Sequence, residues 1–253
     1  MAQKHPQDFK LIFMKKIICI VALFICSKSF SQVFISKGLV EYEVKVNNHK
    51  SFGDGIWSQM MKERVPQLST SFYELTFSED KSIYRFSKKD LSTKLPWGSE
   101  KEDDIWYNDY GNGNFVQQKN VFGDTYILSD SLLNIQWKIT NESREIAGFN
   151  CRKASGIIFD SVYVFAFYTD EITVTGGPMS LHGLPGLILG VTIPRMFTSW
   201  VATRVQVNAV NDKVIVAPKK GKQKKASELK ETVIKATKDW GNYGQQAVWN
   251  IFL

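Results

Sequence analysis

Val40-Glu41-Tyr42-Glu43-Val44-Lys45-Val46-Asn47 alternates apolar and polar side chains along its whole length. Successive side chains of an extended chain point to opposite faces, so a period of two builds a strand with one packed face and one wet face. The same reading extends outward. Ser71 to Phe86 reads as a hairpin, with Tyr73, Leu75 and Phe77 before a Ser78-Glu79-Asp80-Lys81 turn and Ile83, Tyr84 and Phe86 after it. Between the two, Ile56 to Leu68 reads as a helical insertion carrying Ile56, Met60 and Met61 and ending near Pro66. Residues 87 to 104 are charged and contain Pro96 and Gly98, which predicts a loop.

Short strands are predicted at Ile105 to Tyr107, Gly113 to Val121, Tyr126 to Ser129, Ile135 to Thr140 and Arg144 to Ala147. Others follow at Cys151 to Ile158, Val162 to Thr169, Leu187 to Ile193 and Ser199 to Asn208, separated by Gly148, Asp160-Ser161, Gly176-Gly177-Pro178 and Pro194-Arg195. Many short strands with turn residues between them argue a mainly β, antiparallel fold, not βαβ units. Six lysines (213, 219, 220, 222, 224 and 225) then crowd a loop around Pro218 and Gly221, and Ala226 to Trp240 has helical propensity. The expected division is 1–31 as targeting sequence, 32–210 as a β-rich domain and 211–253 as a basic loop with a helical tail.

The targeting sequence is read from Met14-Lys15-Lys16, the apolar run Ile17 to Cys26, and the small residues Ser29 and Ser31. This is the layout of a secretory signal peptide. The run is shorter than the roughly 20 residues a membrane-spanning helix needs. Cleavage is expected after Ser31, with residues 1 to 13 an over-long start. Ile25 puts a bulky branched side chain where a lipid-attachment signal at Cys26 wants a small one. Removing residues 1–31 takes away five lysines and one aspartate, leaving 27 basic against 24 acidic residues, so the net charge falls from +7 to +3. Much of the basic character is therefore targeting. Cys19 and Cys26 leave with it, and Cys151 stands alone, expected as a buried small apolar residue.

Chemistry-bearing residues are sparse. His49 and His182 are the histidines of the mature chain, and no HExxH, GxSxG or phosphate-binding loop occurs. No metal or cofactor is expected. Asp170, Glu171 and His182 are the candidate acid/base group, against the plainer reading of exposed turn carboxylates and a partly packed histidine. Glu100, Glu102, Asp103 and Asp104 read as a solvated acidic segment, since their spacing does not match a calcium loop. The lysine-rich tail reads as solvated, or as a contact for anionic head groups or polysaccharide; nucleic acid is not expected for an exported protein. The tryptophans 57, 97, 106, 137, 200, 240 and 249 are expected mostly at strand positions, packed in the core.

Gly183-Leu184-Pro185-Gly186-Leu187-Ile188 places two glycines and a proline inside an apolar run. Pro178 and Pro185 fix φ and remove donors, while Gly183 and Gly186 allow backbone closed to other residues. Such a loop either locks a strand crossing or forms the lip of an apolar cleft. Trp137-Lys138-Ile139, Ile146 to Ala154 with Cys151, Phe167 to Ile172, Gly177-Pro178 and Gly183 to Leu189 together resemble the GLPGLI family, exported proteins of the Bacteroidetes with no established reaction. Thr173 stands where that family usually has proline, which loosens a turn but removes no chemical group. The resemblance covers residues 137–189 most closely and Gly38 to Leu128 more loosely.

That resemblance, and a more distant likeness to periplasmic lipoprotein carriers, implies a curved antiparallel sheet or half-barrel with one or two short helices. It also implies a place in the periplasm or outer cell envelope. The function expected is a non-enzymatic binding protein for a lipid or other apolar or amphipathic ligand, or for an outer-membrane protein partner, with peripheral membrane contact. The alternatives are a carboxylate-dependent hydrolase, or a structural part of an outer-membrane assembly docking through Ile251-Phe252-Leu253.

Overall fold

A computed structural model describes residues 34–53, 55–93, 100–159, 161–207 and 210–253. The signal peptide, its cleavage after Ser31, Pro96, Trp97, Gly98, Asp160 and Asn208 lie outside the described residues, as do the side chains of Trp57 and Glu100.

The opening alternation is strand β1 (Lys37–Asn47), in which Val40, Tyr42 and Val44 are buried and Lys45 is exposed. The hairpin is β2 (Leu68–Ser78) and β3 (Lys81–Lys89), turning through Glu79 and Asp80. Between β1 and β2 stand two helices, α1 (Asn48–Ser51) and α2 (Ile56–Arg64). Then come β4 (Ile105–Asp109), β5 (Asn114–Val121) and β6 (Asp124–Ser131). The second half supplies β7 (Lys138–Ile146), β8 (Phe149–Ile158), β9 (Val162–Thr169), β10 (Leu187–Ile193) and β11 (Thr198–Val207). The tail adds β12 (Lys222–Lys225), α3 (Ala226–Ala236) and α4 (Asn242–Phe252).

One twelve-stranded sheet runs β12-β6-β5-β4-β3-β2-β1-β11-β10-β9-β8-β7. Its neighbours are antiparallel except β12, which adds parallel to β6. Two meanders, β1 to β6 and β7 to β11, therefore join along β1 and β11, where Gly38 faces Val207 and Val46 faces Thr198. The fold is the mainly β, curved, open antiparallel sheet expected. One face holds the main core, in which Tyr42, Leu75, Phe77, Tyr84, Trp106, Tyr168 and Ile188 are almost wholly buried. A smaller core forms where Leu229 and Val233 of α3 and Val248 of α4 pack on Phe115, Val121 and Leu128. Among the described residues no helix is long and apolar enough to cross a membrane.

Several local expectations are corrected. The strands expected at Ile135 to Thr140 and Arg144 to Ala147 are one strand, β7, whose pairing with β8 shifts register between Ile139 and Ser143. Part of the charged segment 87–104 is ordered structure: β3 runs to Lys89, and 3-10 turns occupy Leu91–Thr93 and Glu100–Asp103. The basic loop contains a strand, because the open edge of β6 offers backbone partners that need no apolar side chain. The tail holds a second helix, α4. Its end is not a free docking segment, since Leu253 is buried in the main core and Ile251 and Phe252 pack on the smaller one. Of the tryptophans, Trp106 and Trp200 lie in strands, whereas Trp240 is half exposed in a 3-10 turn and Trp249 lies in α4.

Candidate functional site

Residues 170–186 leave β9, cross the core face of the sheet and return into β10. The path is pinned by groups from strands far apart in the sheet. From β1, the Tyr42 hydroxyl donates to the Ile188 carbonyl at 2.5 Å. From β4, Asn108 Nδ2 donates to the Met179 carbonyl at 2.7 Å. From β5, Gln117 Nε2 donates to Ser180 Oγ at 2.9 Å. Trp137, just before β7, donates its indole N–H to the His182 carbonyl at 2.8 Å. Backbone bonds complete the path, from Gly183 N to Thr175 O (3.0 Å), Leu187 N to Ile172 O (3.1 Å) and Ile188 N to Gly176 O (2.8 Å).

The glycines are set by contact as well as by φ. A β-carbon on Gly186 would lie 1.9 Å from the Thr169 carbonyl oxygen, and its φ of +144° suits glycine alone. One on Gly177 would meet Ile188 at 2.7 Å. Pro178, Leu184, Leu187 and Ile188 are buried, while Gly183 and Pro185 are exposed at the turn. The segment is thus built into the core from both sides.

Asp170 and Glu171 are exposed at the start of the crossing. His182 stacks on Tyr110, ring centres 6.1 Å apart, and its Nδ1 lies 3.3 Å from the Ser180 carbonyl. Burial pushes the imidazole below its ordinary pKa, opposed by that backbone bond. Among the described residues no hydrogen bond or ion pair joins His182 to either carboxylate. Cys151 is fully buried and free, and desolvation pushes its thiol up to about 12, which removes it as a nucleophile. No group of three His, Cys, Asp or Glu side chains among the described residues is placed to hold a metal.

A cavity adjoins the crossing segment at Met179. Of about 510 Å³, it opens beside β1 to β5 and β11, and Asn250 and Ile251 of α4 line part of its wall. Tyr73, Tyr84, Trp106 and Trp200 provide its aromatic surface. Tyr73 stacks on Tyr84 at 5.1 Å, and Tyr84 meets Trp106 edge-on at 5.3 Å. Around these rings stand hydroxyl and amide groups of Ser69, Thr70, Ser71, Thr198 and Asn120. The wall is therefore mixed in polarity and rich in rings.

Lys119 is the unusual residue in that wall. It is 1% exposed on β5, with Nζ 3.8 Å from the centre of the Trp106 ring and 3.3 Å from Asp104 Oδ2. Asp104, also buried, accepts from the Asn120 amide at 3.0 Å. That corrects the solvated reading of the acidic segment for Asp104. Lys119 Nζ makes no well-directed hydrogen bond, and neither does the buried Tyr84 hydroxyl. Desolvation pushes Lys119 down to about 8 against the pull of Asp104, with Lys101 pushing the same way as burial. Period two along β5 carries the signal that would have found this residue: Phe115, Gln117, Lys119 and Val121 share one face, and all are buried.

No curated protein matches the chain. Its fold is similar to that of PNGF-II in P21 and C2 crystal forms, with TM-scores of 0.51 and 0.52 and identities of 17% and 18%. The likeness covers 79% of this chain but 34% and 33% of those chains, so the chain spans about a third of their length. At such identities the likeness shows the fold alone. An uncharacterized conserved protein from Thermus thermophilus aligns at a TM-score of 0.41 and 5% identity, over 81% of this chain and 99% of that one. The family model described as the N-glycanase peptide, N-terminal domain matches residues 76–230. Those residues run from the end of β2 into α3 and take in β3 to β12, the crossing segment and the Asp104–Lys119 pair, and on that match the chain belongs to the N-glycanase peptide N-terminal domain family.

Proposed function

We propose that the chain is a non-enzymatic binding domain of the cell envelope, exported through its amino-terminal signal, whose cavity takes an amphipathic ligand. The observation that carries this reading is the cavity wall itself, in which the Lys119 amine, with Asp104 at 3.3 Å as its near acceptor, and the Tyr84 hydroxyl are buried beside aromatic rings and make no well-directed hydrogen bond. Buried polar groups in native proteins are nearly always satisfied, and a ligand acceptor at this point would satisfy both. The rings would take an apolar or planar part of the same molecule. The GLPGLI likeness of residues 137–189 supports an envelope role and makes the crossing segment the support of the sheet that shapes the cavity.

A carboxylate-dependent hydrolase is less well supported, because Asp170 and Glu171 stand exposed and unconnected to His182. A second reading, a saccharide as the polar part of the ligand, draws on the description of the family as part of an N-glycanase and on the ring-and-hydroxyl lining of the cavity, and it expects an uncharged alkyl saccharide to bind as well as an alkyl anion.

Native mass spectrometry with solvent extraction, on protein purified from its own envelope, tests the proposal. A reproducible bound molecule that disappears in Ser71→Trp, which fills the cavity, is the expected result. An empty wild-type protein, or one that arrives with a partner chain, would turn the reading to a structural role in an assembly.

A further inference from the structure

We infer that the inner wall of this cavity holds an anionic group, a carboxylate or a phosphate, which Lys119 and Lys101 bind beside Asp104. The inference rests on reading the cavity as a ligand site and names the chemistry of what enters it.

Charge balance is the first argument. Lys89 pairs with Glu102, and Asp90, near the rim, accepts from the amide and hydroxyl of Ser92 at 3.0 and 2.7 Å. Asp90 keeps its charge, so the cavity as a whole is balanced, but on the inner wall Lys101 and Lys119 share the one carboxylate of Asp104. Both lysines line the cavity, Lys101 half-buried and Lys119 fully buried. Among the described residues Lys101 has no ion-pair partner, and its charge is felt at Lys119. An uncompensated charge held out of water is costly, and it becomes favourable when a counter-charge is supplied.

Hydrogen bonding is the second argument. An ammonium carries three donors, and Lys119 has a single near acceptor, Asp104 Oδ2 at 3.3 Å, which its N–H groups do not meet in good alignment. The Trp106 face attracts the cation without accepting a directed bond at that strength. Asp104 has Oδ1 committed to the Asn120 amide and Oδ2 facing Lys119, so it can satisfy at most part of that ammonium. The Tyr84 hydroxyl is a further unused donor in the same wall. Unused donors beside two lysines that share one carboxylate match the several lone pairs of a carboxylate or phosphate, and they match a neutral ligand less well.

The test uses decanoate, decyl phosphate and uncharged decyl maltoside, each below its micelle concentration. Calorimetry and the fluorescence of Trp106 and Trp200 follow binding, and circular dichroism confirms that the fold persists. The two anions are expected to bind at least about tenfold more tightly than the maltoside, the scale of one charge-assisted hydrogen bond. Their order tells carboxylate from phosphate. Lys119→Met should remove that advantage, leave maltoside binding where it was, and abolish the weakening of anion binding between pH 7 and 9. Ser71→Trp should abolish binding of all three. Equal binding of all three ligands, unchanged in Lys119→Met, would overturn the anion site and leave the cavity reading standing. Failure of all three to bind would sink both. If Lys119→Met does not fold, Lys101→Met decides, because full anion affinity in that variant would overturn the inference.

Discussion

Trp137 and His182, 45 residues apart, are tied by a 2.8 Å bond from the indole N–H to the histidine carbonyl. Trp137 also lies against Gly156 of β8, where a β-carbon would meet its ring at 3.0 Å and Ile135 at 2.8 Å. Trp137→Phe removes the donor and should cost about 1–3 kcal/mol. Gly156→Ala should destabilise through the ring it displaces. Urea unfolding of both variants measures this. A Trp137→Phe midpoint equal to wild type would show that the tie is ornamental.

Gly186 separates the lock from the lip. With Thr169 O at 1.9 Å from any β-carbon and φ at +144°, Gly186→Val has no room without parting β9 from β10. The expected loss is about 4 kcal/mol or more, the range reserved for backbone strain and core disruption. A stable Gly186→Val protein that no longer binds its ligand would make the loop a binding lip instead.

Asp170→Asn and Glu171→Gln should each change stability by less than about 0.5 kcal/mol, as surface substitutions without side-chain partners do. They should also leave ligand retention intact. Loss of binding or of any hydrolytic activity in Asp170→Asn, at wild-type stability, would restore the acid/base reading.

Lys119 gives a pH signature of definite sign. Its folded pKa, about 8, lies below the ordinary 10.5, so between these values the unfolded chain binds more protons than the folded one. Stability from this group is therefore present above pH 10.5 and is lost as pH falls toward 8, an effect of the order of 3 kcal/mol. Cys151 opposes it. Its thiol, raised from 9.0 to about 12, removes stability as pH rises above 9. Buried Tyr42, Tyr73, Tyr84 and Tyr110, all raised by desolvation, also remove stability from near pH 10, so in a Cys151→Ala background denaturant midpoints should rise from pH 8 to 9, and adding Lys119→Met should remove that rise. Identical pH profiles with and without Lys119→Met would refute the desolvated lysine.

The fold is largely legible in the sequence because its strands alternate. Val162–Thr169 and Leu187–Ile193 can be read to the residue from apolar pattern and flanking turns. β12 cannot, since Lys222-Gln223-Lys224-Lys225 carries no apolar signal and becomes a strand only beside the open edge of β6. Helix α4 has Gly241 at its start with no side-chain cap, so the usual opening signal is missing. β7 reads as two strands because Asn141-Glu142-Ser143 interrupts its pattern, which is where its register with β8 slips. Of the cavity, the aromatic rings are visible as core residues. The pairing of Lys119 with Asp104 is not, because it depends on a 3-10 turn bringing residue 104 against β5.

The seam between β1 and β11 sets the order in which this molecule can be assembled. Each meander is made of contacts between chain neighbours, but Gly38 meets Val207 and Val46 meets Thr198 across more than 150 residues. Hairpins within either half can form and dissolve on their own, whereas the joint waits for both ends of the chain, and joints closed over such distances are slow. Until then the two inner strands are raw edges. A chain leaving its site of synthesis would thus stay vulnerable to proteases and to mispairing until residues 198–207 arrive, and a holdase that shields β1 would protect it through that interval.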